Sequence, residues 1–140
     1  MKSKPIYLVI AEDDVDDQLL LQDALVESGL DNIRINFVQN GEELLQLLDE
    51  QSHLPDLILL DLNMPRKDGR ESLKEIKANK NLSHIPIIIF TTSNNEEDIK
   101  YTYREGGSTY ITKPALFSDL VDTLGTVKKY WFEKAVLVHR

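Results

Sequence analysis

A chain of 140 residues with 41% apolar and 29% charged residues has the composition of one globular domain. Its formal charge of -8 disfavours a general nucleic-acid binder, because phosphate backbones would repel it. Without cysteine it has neither disulfides nor thiolate metal sites, and no stretch approaches the roughly 20 apolar residues of a membrane span, so we expect a cytoplasmic protein that does not bind membranes.

Five short apolar runs alternate with segments of helical periodicity. In chain order the runs are IYLVIA, IRINFV, LILL, IIIF and TYIT, at residues 6–11, 33–38, 57–60, 87–90 and 109–112. Apolar residues at helical spacing predict helices over about 16–28, 41–50, 70–78, 96–105 and 116 to beyond 130. The alternation therefore predicts a (βα)5 order of strands and helices.

The apolar runs also predict the type of sheet. Runs one, three and four are continuously apolar, which is typical of parallel strands covered on both faces. Right-handed crossovers then place helices on both sides of an open five-stranded parallel sheet, the doubly wound α/β class. Ligands in this class bind outside the carboxyl ends of the strands, so we expect the functional residues there.

Polar side chains follow four of the five predicted strands. In chain order they are Glu12 with Asp13, Asp61 with Asn63, Thr91, and Lys113. Carboxylates held close together repel one another, and Mg²⁺ is a natural partner because it prefers oxygen ligands and retains waters or a phosphate oxygen. A carboxylate beside such an ion can attack phosphorus, while a lysine neutralises phosphoryl oxygens.

Simpler roles compete for several of these positions. Asp14 and Asp16 precede or begin a helix and fit helix capping better than metal binding. Pro65 and Gly69 fit ordinary turn residues. Tyr110 fits a core residue as well as a moving switch, so its role is left open by the residues alone.

Four motifs together indicate a family. AEDD, LLDLNMPRKDG, FTTS and YITKP, in this order and at strand ends, closely resemble the receiver domain of two-component response regulators over residues 1–130. The resemblance implies a flavodoxin-like fold and phosphorelay signal transduction. A sensor histidine kinase would phosphorylate an aspartate with Mg²⁺ as cofactor, and the aspartyl-phosphate would switch a protein-binding surface. Such a domain assists its own phosphorylation and dephosphorylation but is not an enzyme with a free substrate.

The resemblance assigns roles to residues by position. Asp61 would be the phosphoacceptor, and Mg²⁺ would be held by Glu12, Asp13, Asp61 and the backbone carbonyl of Asn63. Glu12 stands where many receivers have aspartate, which changes the reach of the ligand but not its charge.

The same carry-over implies a switch near the acceptor. Thr91 would be the switch hydroxyl, and Lys113 would pair with the phosphoryl group. Tyr110 would change rotamer on phosphorylation, and the bond between Lys113 and Pro114 would be cis.

The ends of the chain suggest partners. Residues 131–140 are expected to extend the last helix without an output domain, which implies a stand-alone receiver. EDDVDDQLL and YWFEKAVL resemble the regulators paired with bacterial phytochrome kinases, so a kinase of that kind or a phosphotransfer protein is the expected partner. The apolar C-terminal stretch either caps the core or forms a self-association surface; we favour the second, and with it a homodimer.

Two other functions fit parts of the pattern. A haloacid-dehalogenase-like phosphohydrolase also forms an aspartyl-phosphate, but it usually places a second aspartate where this chain has Asn63. A constitutive binding module would keep the fold and never be phosphorylated. The intact set of acids, threonine and lysine argues against that module.

Overall fold

The computed structural model describes residues 5–30, 33–50 and 52–138. Within these ranges five strands alternate with five α-helices, as predicted. The strands are β1 (Ile6–Ala11), β2 (Ile33–Val38), β3 (Leu57–Leu60), β4 (Ile87–Thr91) and β5 (Thr109–Thr112). The helices are α1 (Val15–Glu27), α2 (Gly41–Glu50), α3 (Gly69–Ala78), α4 (Glu96–Arg104) and α5 (Phe117–Val127). None of the helices in these ranges is long and apolar enough to cross a bilayer.

The strands form one parallel sheet in the order β2-β1-β3-β4-β5. The chain winds outward from β1 to β2 and then returns past β1 to β3, so the winding direction reverses between β1 and β3. The ends of these two strands are in register, with Ala11 opposite Leu60. This flavodoxin-like topology confirms the predicted fold class and places the crevice of an open α/β sheet at this point.

Apolar layers cover both faces of the sheet, as the continuous runs predicted. Residues alternate between the layers along each strand, so that Val9 faces one layer and Ile10 the other. One layer contains residues of α2 and α3, and the second contains residues of α1 and α5. The helices of the second layer, α1 and α5, both begin at the carboxyl edge of the sheet.

The end of the last helix differs from the sequence-based expectation. Helix α5 stops at Val127 and passes into one π-helical turn, Lys128–Phe132, after which residues 133–138 are not helical. The backbone N–H groups of Lys134 and Ala135 both donate to the Tyr130 carbonyl, at 3.1 and 2.7 Å. The bond from Ala135 spans five residues, as in a π-helix, and no further helical turn follows it within the described residues. Residues 139 and 140 of the expected extension lie outside the described residues.

The aromatic stretch that follows α5 has two parts with different surroundings. Trp131 and Phe132 pack against the core layer formed with α1 and α5. Tyr130 and Val136 remain 57% and 98% exposed. The stretch therefore covers part of the core and also leaves apolar surface accessible, while self-association through that surface stays a prediction.

Candidate phosphoryl and metal site

The adjacent parallel strands β1 and β3 bring three acids together at the carboxyl edge of the sheet. The Asp61 N–H donates to the Ala11 carbonyl at 3.1 Å, and the Glu12 N–H donates to the Val38 carbonyl at 2.9 Å. These bonds fix the two acids one residue beyond their strands. One carboxylate oxygen each from Glu12, Asp13 and Asp61 lies within 4.8 Å of the others. The convergence expected from the strand ends is therefore present.

Lys113 reaches this acid cluster from the end of β5. Its backbone N–H donates to the carbonyl of Thr91, the last residue of β4, at 2.7 Å. The pairing of β4 with β5 thus continues one residue past the end of β5. The Nζ atom donates to Asp61 Oδ2 at 2.9 Å and also to Glu12 Oε1. Within the described ranges, no other basic side chain forms an ion pair with Glu12 or Asp61.

Asp17 is a fourth acid near this lysine, and no sequence motif pointed to it. Its Oδ2 atom lies 3.7 Å from Lys113 Nζ. The Asp17 N–H donates to Asp14 Oδ1 at 3.0 Å, which confirms Asp14 as the N-cap of α1. Asp17 lies in the first turn of α1, whereas Asp13 precedes the helix, so no regular spacing in the sequence linked it to the other acids.

Burial and charge shift the ionisation of the two central groups. Burial raises the pKa of Glu12, whose residue is 2% exposed, and hydrogen bonds from Lys113 and the Asp14 N–H only partly oppose this effect. Burial would lower the pKa of Lys113, but the hydrogen bond to Glu12 and the charge of Asp61 outweigh it, so the pKa is raised. Lys113 therefore stays cationic, while Glu12 pays a cost for its negative charge.

The donor set fits a hard divalent cation. Three carboxylates lie together, and the two that are buried, Glu12 and Asp61, pair with Lys113. Asp13 is exposed at the mouth of the site, so it can bind an ion that keeps part of its water. Asn63 is also exposed, and its backbone N–H donates to Asp61 Oδ1 at 3.1 Å. Ligation by the Asn63 carbonyl remains a prediction.

Gly69 is required for the position of Asp61, so the interpretation as an ordinary turn residue was incomplete. It is the first residue of α3, and its N–H donates to the Leu62 carbonyl at 2.9 Å. A Cβ atom added at Gly69 would lie 2.2 Å from the backbone oxygen of Asp61. The helix can pack this closely on the backbone that follows β3 only because glycine has no side chain.

Thr91, at the end of β4, and Tyr110, on β5, both contact Ser93. Thr91 ends β4 and is fully buried. Its Oγ1 atom accepts a long hydrogen bond, 3.5 Å, from the Ser93 N–H. Tyr110 is half-buried and packs against the core, and its hydroxyl donates to the Ser93 carbonyl at 2.8 Å. Tyr110 therefore serves as a core residue and also contacts the loop after β4.

The expected cis bond before Pro114 is wrong for this structure. No cis peptide bond occurs among the described residues, so Lys113 and Pro114 are joined in the trans form. Trans is also the intrinsic preference of such bonds, by about 0.5 to 1 kcal/mol. Lys113 reaches both Glu12 and Asp61 with this backbone.

Comparison with known proteins gives consistent matches over most of the chain. The family model "Response regulator receiver domain" matches residues 8–125. The response regulator Rcp1 of Synechocystis is 37% identical over 138 residues, which are 95% of this chain and 93% of that protein. The polar-differentiation response regulator DivK of Brucella anthropi is 34% identical over 120 residues, 86% of this chain and 94% of its own length.

Solved structures agree in shape as well as sequence. The phosphorylated cyanobacterial phytochrome response regulator RcpA superposes with a TM-score of 0.90 at 36% identity, covering 96% of this chain and 99% of that one. The Mn²⁺-bound form of Rcp1 gives 0.86 at 36% identity, covering 95% and 99%. The acid cluster, the strand order and these matches lead to one conclusion: the chain belongs to the response regulator receiver domain family.

Proposed function

We propose that Asp61 accepts a phosphoryl group from the phosphohistidine of a sensor histidine kinase or phosphotransfer protein. Receiver domains are signalling modules of phosphorelays, which gives the reaction class. The observation that carries the residue assignment is the contact of Lys113 Nζ with Asp61 Oδ2, at 2.9 Å, inside a cluster of three carboxylates. A nucleophilic carboxylate and a cation for the phosphoryl oxygens are thus already adjacent.

The transfer of the phosphoryl group from phosphohistidine to Asp61 needs no further reactant. A carboxylate oxygen of Asp61 bonds to phosphorus, the bond from phosphorus to the imidazole nitrogen breaks, and that nitrogen keeps the electron pair. Lys113 pairs with a phosphoryl oxygen in place of Asp61 Oδ2, and the Thr91 hydroxyl donates to another. Positioning and charge neutralisation are the main contributions that a protein makes to this chemistry.

Mg²⁺ is the cofactor that we propose for this site. Glu12, Asp13 and Asp61 would hold it, with the backbone carbonyl of Asn63 as a fourth ligand. When bound, it would neutralise charge on the transferred phosphoryl oxygens. The solved Mn²⁺-bound form of Rcp1 supports a divalent ion in this family. All these donors are oxygens, which suit hard divalent ions such as Mg²⁺ and Mn²⁺.

The aspartyl-phosphate would act on the loop after β4. It adds about -1.5 to -2 charge at the site. A Thr91 hydroxyl drawn to that charge changes the backbone that leads to Ser93, and Ser93 is in turn bonded to the Tyr110 hydroxyl. The surface of α4 and β5 would then bind a partner differently in the two states.

Partners are proposed from the solved relatives. RcpA is described as a phytochrome response regulator, so a phytochrome-like kinase is the first candidate donor, acting in the cytoplasm. No free substrate would be turned over. The exposed Tyr130 and Val136 support self-association of the domain through its C-terminal region.

The first experiment measures the intact mass after incubation with acetyl phosphate and Mg²⁺. We expect a gain of about 80 Da, one phosphoryl group. The gain should require Mg²⁺ and should be absent in Asp61→Asn. Chromatography of both samples by size tests whether phosphorylation changes self-association. An unlabelled wild-type protein, under conditions that label another receiver, would overturn the acceptor assignment and favour a constitutive binding module.

A further inference from the structure

The turn between β1 and α1 carries two of the proposed metal ligands, Glu12 and Asp13, and it is bonded to a side chain of α1. The Nε2 atom of Gln18 donates to the Glu12 carbonyl at 2.6 Å. Because a carbonyl oxygen can only accept, the amide nitrogen of this half-buried glutamine has to face the turn. Gln18 is therefore a direct neighbour of the ligand pair, although it lies six residues from Glu12 in the chain.

The geometry of the helix start explains how Gln18 reaches this turn. Asp14 is the N-cap of α1, and the Gln18 N–H donates to the Asp14 carbonyl at 3.0 Å, so Gln18 completes the first turn of the helix. Side chains of an α-helix tilt toward its N-terminus, and a side chain at this position therefore extends back over the residues that precede the helix. A glutamine has both the length and the N–H donor to bond to a carbonyl there.

The hydrogen bond from Gln18 fixes the peptide plane between the two acids. The Glu12 carbonyl belongs to the peptide unit that joins Glu12 to Asp13, and this unit is planar. The Glu12 N–H donates to the Val38 carbonyl at 2.9 Å, so both backbone polar groups of Glu12 are bonded. Its carboxylate is held as well, because Oε2 accepts from the Asp14 N–H at 3.0 Å. The direction in which the backbone continues toward Asp13 then depends on Gln18.

We propose that Gln18 is a positioning residue for Mg²⁺ binding, which holds the backbone between Glu12 and Asp13 so that both carboxylates stay together for the ion. The inference rests on the proposed function of the site. One carboxylate oxygen each from Glu12, Asp13 and Asp61 lies within 4.8 Å of the others. These negative charges repel one another until a cation binds. A restrained turn keeps its two acids from moving apart, so less reorganisation is needed when the ion binds.

A purely structural role for the Gln18 hydrogen bond predicts a different result. The bond would then stabilise the start of α1 with or without Mg²⁺, and its loss would lower the free energy of unfolding by the same amount in both conditions. A positioning role instead couples the bond to the ion. Loss of the bond should then reduce the additional stability that Mg²⁺ confers on the folded protein.

The test replaces Gln18 by methionine, which has a similar length and helix propensity but no N–H donor. Gln18→Asn keeps the amide on a side chain that is shorter by one methylene group, so we expect it to miss the carbonyl and to behave in the same way. Neither substitution changes the charge of the site. Gln46→Met is the matched control, because it removes the same amide from α2, where Gln46 forms an exposed hydrogen bond to Glu50 at 3.1 Å.

Two measurements on the unphosphorylated proteins report on the ion directly. Calorimetric titration with Mg²⁺ gives the dissociation constant, and urea unfolding in EDTA and in excess Mg²⁺ gives the stabilisation by the ion. We expect Gln18→Met to bind Mg²⁺ about tenfold more weakly than wild type, at the lower end of the range for outer partners of metal ligands, because the bond reaches the backbone rather than the carboxylate. In excess Mg²⁺ this change reduces the stabilisation by about 1.4 kcal/mol.

Labelling by acetyl phosphate gives a third measurement. The Mg²⁺ concentration for half-maximal labelling should rise in Gln18→Met by the same factor as the dissociation constant, while the rate in excess Mg²⁺ stays close to that of wild type. Gln46→Met should match wild type in all three measurements. Hydrogen exchange over residues 13–18 in EDTA should be faster in Gln18→Met, and unchanged exchange would show that the bond does not restrain the turn.

A wild-type dissociation constant for Mg²⁺ in both Gln18→Met and Gln18→Asn would overturn the proposal, even if their free energies of unfolding in EDTA fell. That result would make the bond a structural contact at the start of α1. A wild-type protein that binds no Mg²⁺ contradicts the proposed cofactor, and the inference about Gln18 with it. A protein that binds Mg²⁺ but is never labelled contradicts only Asp61 as the acceptor, because calorimetry still measures the effect of Gln18.

Discussion

The two edges of the central sheet carry polar residues of similar types in different arrangements. At the amino edge, Asp56 Oδ2 accepts a hydrogen bond from the Tyr7 N–H at 2.9 Å. The guanidinium of Arg34 lies 4.2 Å from the centre of the Tyr7 ring. The His53 ring also stacks with the Tyr7 ring, and the two ring centres are 6.0 Å apart. At the carboxyl edge, the carboxylates of Glu12, Asp17 and Asp61 instead share Lys113.

The difference lies in the balance of charge. Polar groups at the amino edge contact backbone or aromatic rings, which stabilises them without bringing like charges together. The carboxyl edge holds like charges within a few ångströms and buries two of them. Such an arrangement costs stability and is typical of sites that bind a cation or a substrate. Contacts at the amino edge therefore stabilise the fold, whereas the clustered charges at the carboxyl edge lower its stability in a way that is typical of functional sites.

Lys113→Met should lower the free energy of unfolding more than the other substitutions. It leaves Glu12 and Asp61 buried without their cation, and removing one partner from a buried ion pair costs about 3 to 5 kcal/mol. Urea unfolding in EDTA measures the loss, and added Mg²⁺ should restore part of it if the acids bind the ion. Lys100→Met is the control, because its pair with Glu96 is exposed, and equal losses in both variants would contradict the prediction.

Gly69→Ala tests how closely α3 must approach the backbone of Asp61, just after β3. The added methyl group would overlap the Asp61 backbone, so we expect a loss of about 1 to 3 kcal/mol and slower labelling by acetyl phosphate. Gly125→Ala in α5 is the matched control, since nothing lies within 4 Å of its added Cβ. There the better helix propensity of alanine should raise stability by up to about 1 kcal/mol. A stable Gly69→Ala with normal labelling would refute the need for glycine.

Glu12→Gln tests the charge balance through pH. The pKa of Glu12 is raised above its ordinary 4.5, so stability that is present below that value is lost as pH rises through the folded-state pKa. Removing the carboxylate should remove this loss. Unfolding free energies in EDTA, measured from acid to neutral pH, should therefore fall less steeply in the variant than in wild type. Parallel curves would show that burial of this carboxylate carries no cost.

Arg34→Ala addresses the amino edge and should have the smallest effect. Loss of its contact with the Tyr7 ring should cost about 0.5 to 1 kcal/mol, the range for an exposed cation above an aromatic ring. The acetyl phosphate reaction should proceed at the wild-type rate, because no residue of the carboxyl edge is touched. A slowed reaction would show that the two edges are coupled and would weaken the comparison.

Much of the site could be predicted because its residues follow strands. Continuous apolar runs identified the strands, and parallel pairing then required Glu12, Asp61, Thr91 and Lys113 to meet at one edge. The family resemblance assigned their roles. Asp17 was missed because its contact depends on where α1 begins, and helix starts are among the least certain features of a sequence.

The sequence by itself determined the order of strands and helices, the edge at which the acids gather and the family. Its periodic apolar pattern carries that information locally, within a few residues. Only the tertiary structure decided the ion pair between Arg70 and Asp98, the close approach of Gly69 to Asp61 and the π-helical turn that follows α5. Each depends on contacts between different elements of the fold or on competing hydrogen bonds, and the local apolar pattern does not encode these.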